Sequence, residues 1–490
     1  MPTAPRLSDP ASWLGPRPWA TAAAVVAGLT LWRVAALGWS ATDLYTDESQ
    51  YWFWSTDLAL GYYSKPPLIA WLIRLSTALG GAETPFWVRL PAPLLHAATA
   101  AAVGLLGGKL YGPRLGALAA VVYATLPAVT VGSIVISTDT ALLPFAALAG
   151  WAWLRLLDRP GDPMRGAALG LIVGAGLYAK YAVLYLPLGM VLAAITARRF
   201  RLSVRALRAA LGAFLLVALP HLAWSVHTGF VTAGHVVADA QAGAGRIDVK
   251  DLLEFLGAQF GVFGPALFAA FLWALARALR GRGAPGDAAL LWLSAPVLAI
   301  VSVQALRAGA EANWAAIAYA AATPLVATLL AAQAPRLLAA SLALHGAVAL
   351  VLPLATAAPE SIRAPNGRPV LARMIGREDL AREIGAVAEA EGAAVIVCDN
   401  RGVLSDLLYV LRDRPVAIHA PPPEGPPANH FEMTIPLPPT PEGVTLMVTG
   451  AETPPSLPGL TPVAQVATFA PESGFFARRS LRAWRMEPAP

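Results

Sequence analysis

The chain has 490 residues, 57% of them hydrophobic and only 13% charged, with a mean hydropathy of +0.57. Soluble domains carry about 25% charged residues, so these values exclude an ordinary soluble domain in favour of an integral membrane protein. The net charge of +6 and pI of about 9.6 do not point to nucleic acid, because the basic residues lie in short clusters between apolar runs rather than in one stripe. The single cysteine, Cys398, excludes an intramolecular disulfide and a thiolate metal site.

An apolar run of about 20 residues crosses the roughly 30 Å hydrocarbon layer as a helix. Runs of that kind lie near 18–39, 85–107, 114–135, 140–157, 165–179, 181–197, 206–225, 252–276, 287–306, 314–333 and 337–356, which predicts eleven spans. The first follows Arg6 and Arg17, is too long for a signal-peptide core, and reads as a retained anchor. The pair around 165–197 meets at Lys180 and reads as two short tilted helices or one broken one. With a cytoplasmic N-terminus, the loops on that side hold sixteen basic residues, among them Arg198, Arg199, Arg201, Arg205 and Arg208. The opposite loops hold six: Lys65, Arg74, Lys180, Arg246, Lys250 and Arg307. This asymmetry places residues 40–84 and the tail outside the cytoplasm.

Between the first two spans lies TDESQYWFWSTDLALGYYSKPPLIAW, with a carboxylate pair, Asp47 and Glu48, an aromatic run from Tyr51 to Trp54, Tyr63, and the cation Lys65. Two helices along the membrane surface are expected here, about 47–59 and 66–79, with Pro66 and Pro67 in the first turn of the second. The aromatic run suggests an interfacial belt, and aromatic residues of this loop, Tyr51 and Tyr63 among them, are expected to stack on sugar or lipid. Adjacent carboxylates repel near a low-dielectric surface, which tends to raise one pKa, so one could take a proton from an incoming hydroxyl while the other orients it. A surface helix stabilised at its N-terminus by two acids is the plainer reading.

Charges inside spans are costly and have partners or line cavities. Asp139 reads either as the N-cap of the fourth helix or as a site residue. Lys180 reads either as a snorkelling side chain or as a cation for an anionic group. Arg307, Glu311, Asn313 and Trp314 gather at the mouth of the tenth span, as an interfacial anchor or the wall of a donor pocket. Arg74 and Arg89 read mainly as snorkelling. His221, His227 and His235 fit no strong zinc spacing, and no cofactor is assigned from them, although a divalent metal stays open.

After about Thr356, prolines and charges return. Residues 377–391 and 401–412 read as helices, and 393–399, 415–419, 431–437, 443–450 and 462–470 as strands, giving a small α/β domain at 358–490 beside a membrane domain at 1–357. The basic segment with Arg478, Arg479, Arg482 and Arg485 reads as a solvated strand or tail, or as a dock for anionic lipid or glycan.

The first-loop pattern resembles the first extracytoplasmic loop of glycosyltransferase family 39, which includes protein O-mannosyltransferases and lipid A aminoarabinose transferases of the multi-span GT-C fold. The resemblance covers about 40–330. It implies a mainly α polytopic fold and inverting transfer of a sugar from a polyprenyl-phosphate carrier to a hydroxyl of a lipid, glycan or protein acceptor, on the periplasmic side of a bacterial inner membrane. It places Asp47 on the family's catalytic Asp and Glu48 on its partner. Lys65 falls on a Lys of a Tyr-Phe-Glu-Lys-Pro-like motif, and Asp139 and Lys180 on a further Asp and Lys. Ser64 stands where those relatives have Glu, which removes a carboxylate from any metal site there. The rival is a lipid-linked-sugar flippase; transporters place broken helices and charges at the midplane and carry repeats, whereas these charges gather at one face and no repeat is evident.

Overall fold

A computed structural model describes residues 10–241, 247–283 and 286–489; Arg6 and Arg246 of the topology argument lie outside them. The protein is mainly helical with one small sheet. Two compact units emerge. One is built from the chain up to Leu37, Lys65–Ile69 and Arg89–Pro353; the other joins Gly38–Ser64 and Ala70–Val88 to Leu354–Pro490.

Seven helices among the described residues are long and apolar enough to cross a membrane: Pro18–Trp39, Pro85–Tyr111, Thr138–Leu157, Val204–His227, Asp287–Ala308, Ala312–Gln333 and Pro335–Ala355. Pro163–Leu177 and Tyr181–Thr196 are shorter apolar helices that break at Lys180, as two short helices. The run 252–276 is not one helix. Val249–Val262 and Pro265–Leu279 meet at 116°, because Gly264 takes φ 94°, which glycine alone adopts without strain, and Pro265 cannot continue a preceding helix. The run 114–135 likewise stops at Thr125 and restarts at Pro127.

Thr138–Leu157 and Ala312–Gln333 are the most buried spans at 72% each, and Val204–His227 the least at 17%, so the first two form the centre of their unit. Pro163–Leu177 and Val204–His227 meet along a small-residue seam. Gly166 and Gly170 face the carbonyl oxygens of Ala206 and Ala210, and a Cβ on Gly174 would lie 2.9 Å from the Val217 Cβ. Close backbone approach of this kind replaces the hydrophobic drive that lipid does not supply.

Thr46–Thr56 in the second unit, and Leu68–Gly80, which belongs to it from Ala70 on, are the two expected loop helices. Pro66 and Pro67 precede the second helix instead of lying within its first turn. The tail forms a five-stranded sheet of β1 (Val395–Cys398), β2 (Ala417–His419), β3 (Thr445–Thr449), β4 (Leu460–Phe469) and β5 (Leu481–Pro488), in the order β2-β1-β3-β5-β4. The β1 pairs with β2 and β3 are parallel, and the β5 pairs with β3 and β4 antiparallel. Residues 431–437 are not a strand: Asn429 Oδ1 accepts from Phe431 N and Glu432 N and starts a short helix, His430–Thr434. Ile384, Leu407 and Phe431 pack with Ile396 and Val448 into the core of this part. Of the basic segment, Arg482 and Arg485 lie in β5 and Arg478 and Arg479 in the turn before it; Arg485 pairs with Glu391 at 3.1 Å and Glu487 at 2.8 Å.

Candidate active site

The helix Thr46–Thr56 carries both loop carboxylates in its first turn, where their charge complements the helix dipole. The two point to different surroundings. Glu48 is fully buried and its Oε2 accepts from Tyr45 N at 3.2 Å, closing the helix start. Asp47 is partly exposed; its Oδ1 pairs with Arg401 Nη2 at 3.0 Å, and Tyr45 Oη donates to its Oδ2 at 3.4 Å. Burial, followed by the charge of Asp47, holds the Tyr45 hydroxyl well above the usual phenol range. Arg401 spreads its fork, giving Nη1 to Gln50 Oε1 at 2.9 Å, so one guanidinium grips two side chains one turn apart.

A buried polar knot fixes the helix that bears these carboxylates. Arg377, 1% exposed, meets Asp406 at 2.7 Å and donates to Thr46 Oγ1 at 2.7 Å. Ser49 Oγ donates to Asp406 Oδ1 at 3.1 Å. Asp43 Oδ2 accepts from Arg377 N at 2.8 Å and Glu378 N at 3.3 Å, capping Arg377–Ala390 from outside that helix. Burial pushes the Asp43 and Asp406 carboxyls upward, Asp406 to about 7. Phe475 and Phe476 lie 4.7 and 5.2 Å from the Arg377 guanidinium carbon and shield it from water.

The aromatic run is no interfacial belt. Tyr51 (3% exposed) lies 5.2 Å from Trp54; Trp52 packs edge-on against Tyr409 at 5.0 Å, and Trp54 stacks on Tyr62 at 4.7 Å. The helix is covered by Arg401–Val410 and His430, and its rings fill that interface. Tyr63 is half-buried in the turn that follows. His430 sits 5.4 Å from Trp54 and 5.6 Å from Tyr62, and burial pulls its imidazole down to about 4.

The other unit brings together three of the predicted residues. Asp139 Oδ1 accepts from Lys180 Nζ at 2.7 Å and its Oδ2 from Asn313 Nδ2 at 2.7 Å. All three lie where helices begin or break: the first turn of Thr138–Leu157, the residue before Tyr181–Leu184, and the 3-10 turn Ala312–Ala315. Asp139 is not the cap of its helix; Ser137 Oγ takes that role, accepting from Thr140 N at 3.2 Å. Lys180 does not snorkel alone, and Arg89 is buried rather than snorkelling. Gln259 supports the Asn313 turn, donating to Ala312 O at 3.1 Å while accepting from Tyr319 Oη at 2.6 Å. Lys65 is half-buried in the turn before Leu68, whose N–H donates to Tyr178 O at 2.9 Å. Arg307 ends its helix exposed, Glu311 is exposed, and Trp314 N donates to Glu311 O at 3.0 Å.

His221 is bonded to Tyr181 Oη at 2.8 Å and stacked on Trp224 at 5.8 Å, within an aromatic cluster. Among the described residues no group of three His, Cys, Asp or Glu is placed to hold a metal ion. Arg401, Arg377 and Asp406 went unmarked in the sequence; the sole signal was Asn400, a helix cap just before Arg401.

Residues 64–224 match the family described as dolichyl-phosphate-mannose-protein mannosyltransferase. The chain is 40% identical over 425 residues to the lipid A galacturonosyltransferase RgtD of Rhizobium johnstonii, covering 87% of this chain and 90% of that one. It is 31% identical over 240 residues to the lipopolysaccharide core galacturonosyltransferase RgtA of the same organism, 46% of this chain and 47% of that one. Among solved structures, ArnT of Cupriavidus metallidurans in the apo state superposes with a TM-score of 0.64 at 14% identity, covering 94% of this chain and 97% of that one. That likeness is one of fold. Family membership favours an enzyme over a lipid-linked-sugar transporter, and the apolar helices make it a multi-pass membrane protein. The chain belongs to the family 39-like glycosyltransferases of the GT-C superfamily.

Proposed function

We propose that this glycosyltransferase moves a sugar from a polyprenyl-phosphate carrier to a hydroxyl of a lipid A-type acceptor, with inversion, on the periplasmic side of the inner membrane. The 40% identity across 87% of the chain to a lipid A galacturonosyltransferase supports the acceptor and makes galacturonic acid the sugar to test first. The observation that carries the residue roles is the division of the loop carboxylates: Glu48 is buried in the helix start, and Asp47 is partly exposed on an arginine.

In this reading Asp47 is the general base. The acceptor oxygen forms its bond to the anomeric carbon, the bond from that carbon to the phosphate oxygen breaks, and the hydroxyl proton passes to Asp47. The carrier leaves as polyprenyl phosphate, gaining negative charge that a fixed cation stabilises. Lys180, oriented by Asp139, and Lys65 are the cations assigned to that task. Arg307, Glu311, Asn313 and Trp314 are assigned to the donor side and the half-buried Tyr63 to stacking on sugar or lipid, while the buried Tyr51, expected to share that task, shapes the loop instead.

The test is a proteoliposome assay with a panel of polyprenyl-phosphate sugars, comparing wild type with Asp47→Asn, which keeps shape and removes the base. Wild type consumes one donor; the variant binds that donor and turns it over at least about a hundredfold more slowly. A wild type that consumes no donor but carries labelled lipid across the bilayer overturns the reading.

A further inference from the structure

The membrane unit contains an apolar cavity of about 700 Å³ between Pro163–Leu177, Tyr185–Thr196 and Val204–His227. Trp153, Leu184, Met190, Ala194, Phe214 and Arg201 are among the residues that line it. All but Arg201 are apolar, so the cavity can hold hydrocarbon and gains nothing from water.

Its position follows from the helices around it. Asp139 opens Thr138–Leu157, and Trp153 lies fourteen residues further along the same helix, roughly 21 Å away. The cavity wall from Leu184 to Ile195 is roughly 16 Å long at helical rise. That is about half of the roughly 30 Å hydrocarbon thickness, the depth of a single leaflet.

The charge sits at one end. Arg201 is exposed and follows a short turn, Arg198–Phe200. Its Nε donates to Ala194 O at 3.1 Å, which holds the guanidinium at the cavity end. Arg198, Arg199, Arg205 and Arg208 surround it in sequence, and Arg199 packs over Phe200, which stacks on Trp153 at 5.6 Å. Arg201 at the end of a leaflet-deep apolar slot, within a segment of five arginines, matches a ligand with one hydrocarbon chain in the slot and a phosphate on the guanidinium.

We infer that this cavity is a binding site for an anionic glycerophospholipid of the leaflet away from Asp139, with an acyl chain along Tyr185–Thr196 and its phosphodiester on Arg201. The site is separate from the Asp139–Lys180 cluster and independent of which sugar or acceptor the enzyme uses. Its length favours an acyl chain over the much longer polyprenyl carrier.

Trp153 provides the readout. The purified full-length protein is titrated in mixed micelles with phosphatidylglycerol carrying brominated acyl chains, and with phosphatidylcholine carrying the same chains, while tryptophan quenching is followed. Brominated phosphatidylglycerol should quench at low mole fraction, and the saturable part should disappear in Trp153→Phe. Arg201→Gln should weaken it roughly fivefold, the share of one basic residue near a phosphate surface, with phosphatidylcholine unaffected. Ala194→Phe, which fills the slot without adding a fluorophore, should abolish it. If that variant does not fold, Val191→Phe on the more open wall takes its place. Equal quenching by the two lipids would overturn the headgroup assignment. Displacement of phosphatidylglycerol by unlabelled polyprenyl phosphate, with equal strength in wild type and Arg201→Gln, would assign the slot to the carrier tail instead.

Discussion

The Arg401 guanidinium stands 3.0 Å from Asp47 Oδ1 across 354 residues of sequence, and its other terminal nitrogen reaches Gln50. The arginine thereby sets the rotamer of the partly exposed member of the Asp47–Glu48 pair.

Arg401→Gln should therefore lower turnover by roughly ten- to a hundredfold, a misplaced base rather than a missing one. Both partners are substantially exposed, so stability should change by less than about 1 kcal/mol. Steady-state kinetics set beside a thermal melt in detergent separates the two effects. A large loss of stability with unaltered kcat would make Arg401 a structural strut and no more.

In the membrane unit, Asp139 is held by Lys180 and Asn313 at once. Lys180→Met should leave a partly buried carboxylate without its cation and destabilise the protein by about 2 kcal/mol, less than the 3–5 kcal/mol of a fully buried pair. Asp139→Asn added to it should recover part of that loss. A double variant as unstable as the sum of its single changes, measured by thermal unfolding, would show that the two side chains do not act as a pair.

His430 sets a pH dependence. Burial among Trp54, Tyr62 and Phe53 brings its imidazole from 6.5 to about 4. Between those values the unfolded chain takes up a proton that the folded one refuses. The contribution is thus present above about pH 6.5 and lost as pH falls towards 4, at most on the order of 3 kcal/mol. Asp43, Glu378 and Asp406, raised by burial, work in the opposite sense. The measurement is therefore the difference in melting temperature between wild type and His430→Phe from pH 7.5 to 5. Wild type should lose ground relative to the variant on acidification; parallel curves would remove His430 from the account.

The glycine seam makes a packing prediction. Gly170→Leu drives a side chain into the Ala210 carbonyl and should prevent Pro163–Leu177 from seating, with loss of folded protein on size-exclusion chromatography. Gly212→Ala, where nothing lies within 4 Å of the added carbon, should be neutral. Folded Gly170→Leu protein of wild-type stability would mean that the seam is not a tight contact.

Among the described residues, seven of the eleven expected membrane runs contain helices long and apolar enough to cross, readable because hydrocarbon leaves the backbone few choices, whereas the runs at 114–135 and 252–276 are each broken. Asp139, Lys180 and Asn313 could be picked out as polar residues at helix ends, although their meeting could not. The bend at Gly264-Pro265 had its own signal in that dipeptide, and the apolar run on either side masked it. The short helix at His430–Thr434 was hidden by alternating residues that suit a strand, with Asn429 as the one contrary mark. Arg377, Asp406 and Arg401 could not be found from pattern, because each is an ordinary surface-type residue until the loop that it grips lies beside it.

Thr46 and its partner Arg377 are 331 residues apart. At roughly 5–20 residues per second, the loop with Asp47 is made some 15–65 s before the arginine that anchors it. During that interval its helix lacks the buried cation, and its aromatic residues lack the cover of Tyr409, His430 and Phe431. The enzyme can therefore assemble this region only near the end of its synthesis, and a ribosome that stalls before Arg377 leaves a membrane-inserted chain whose proposed base has no fixed position.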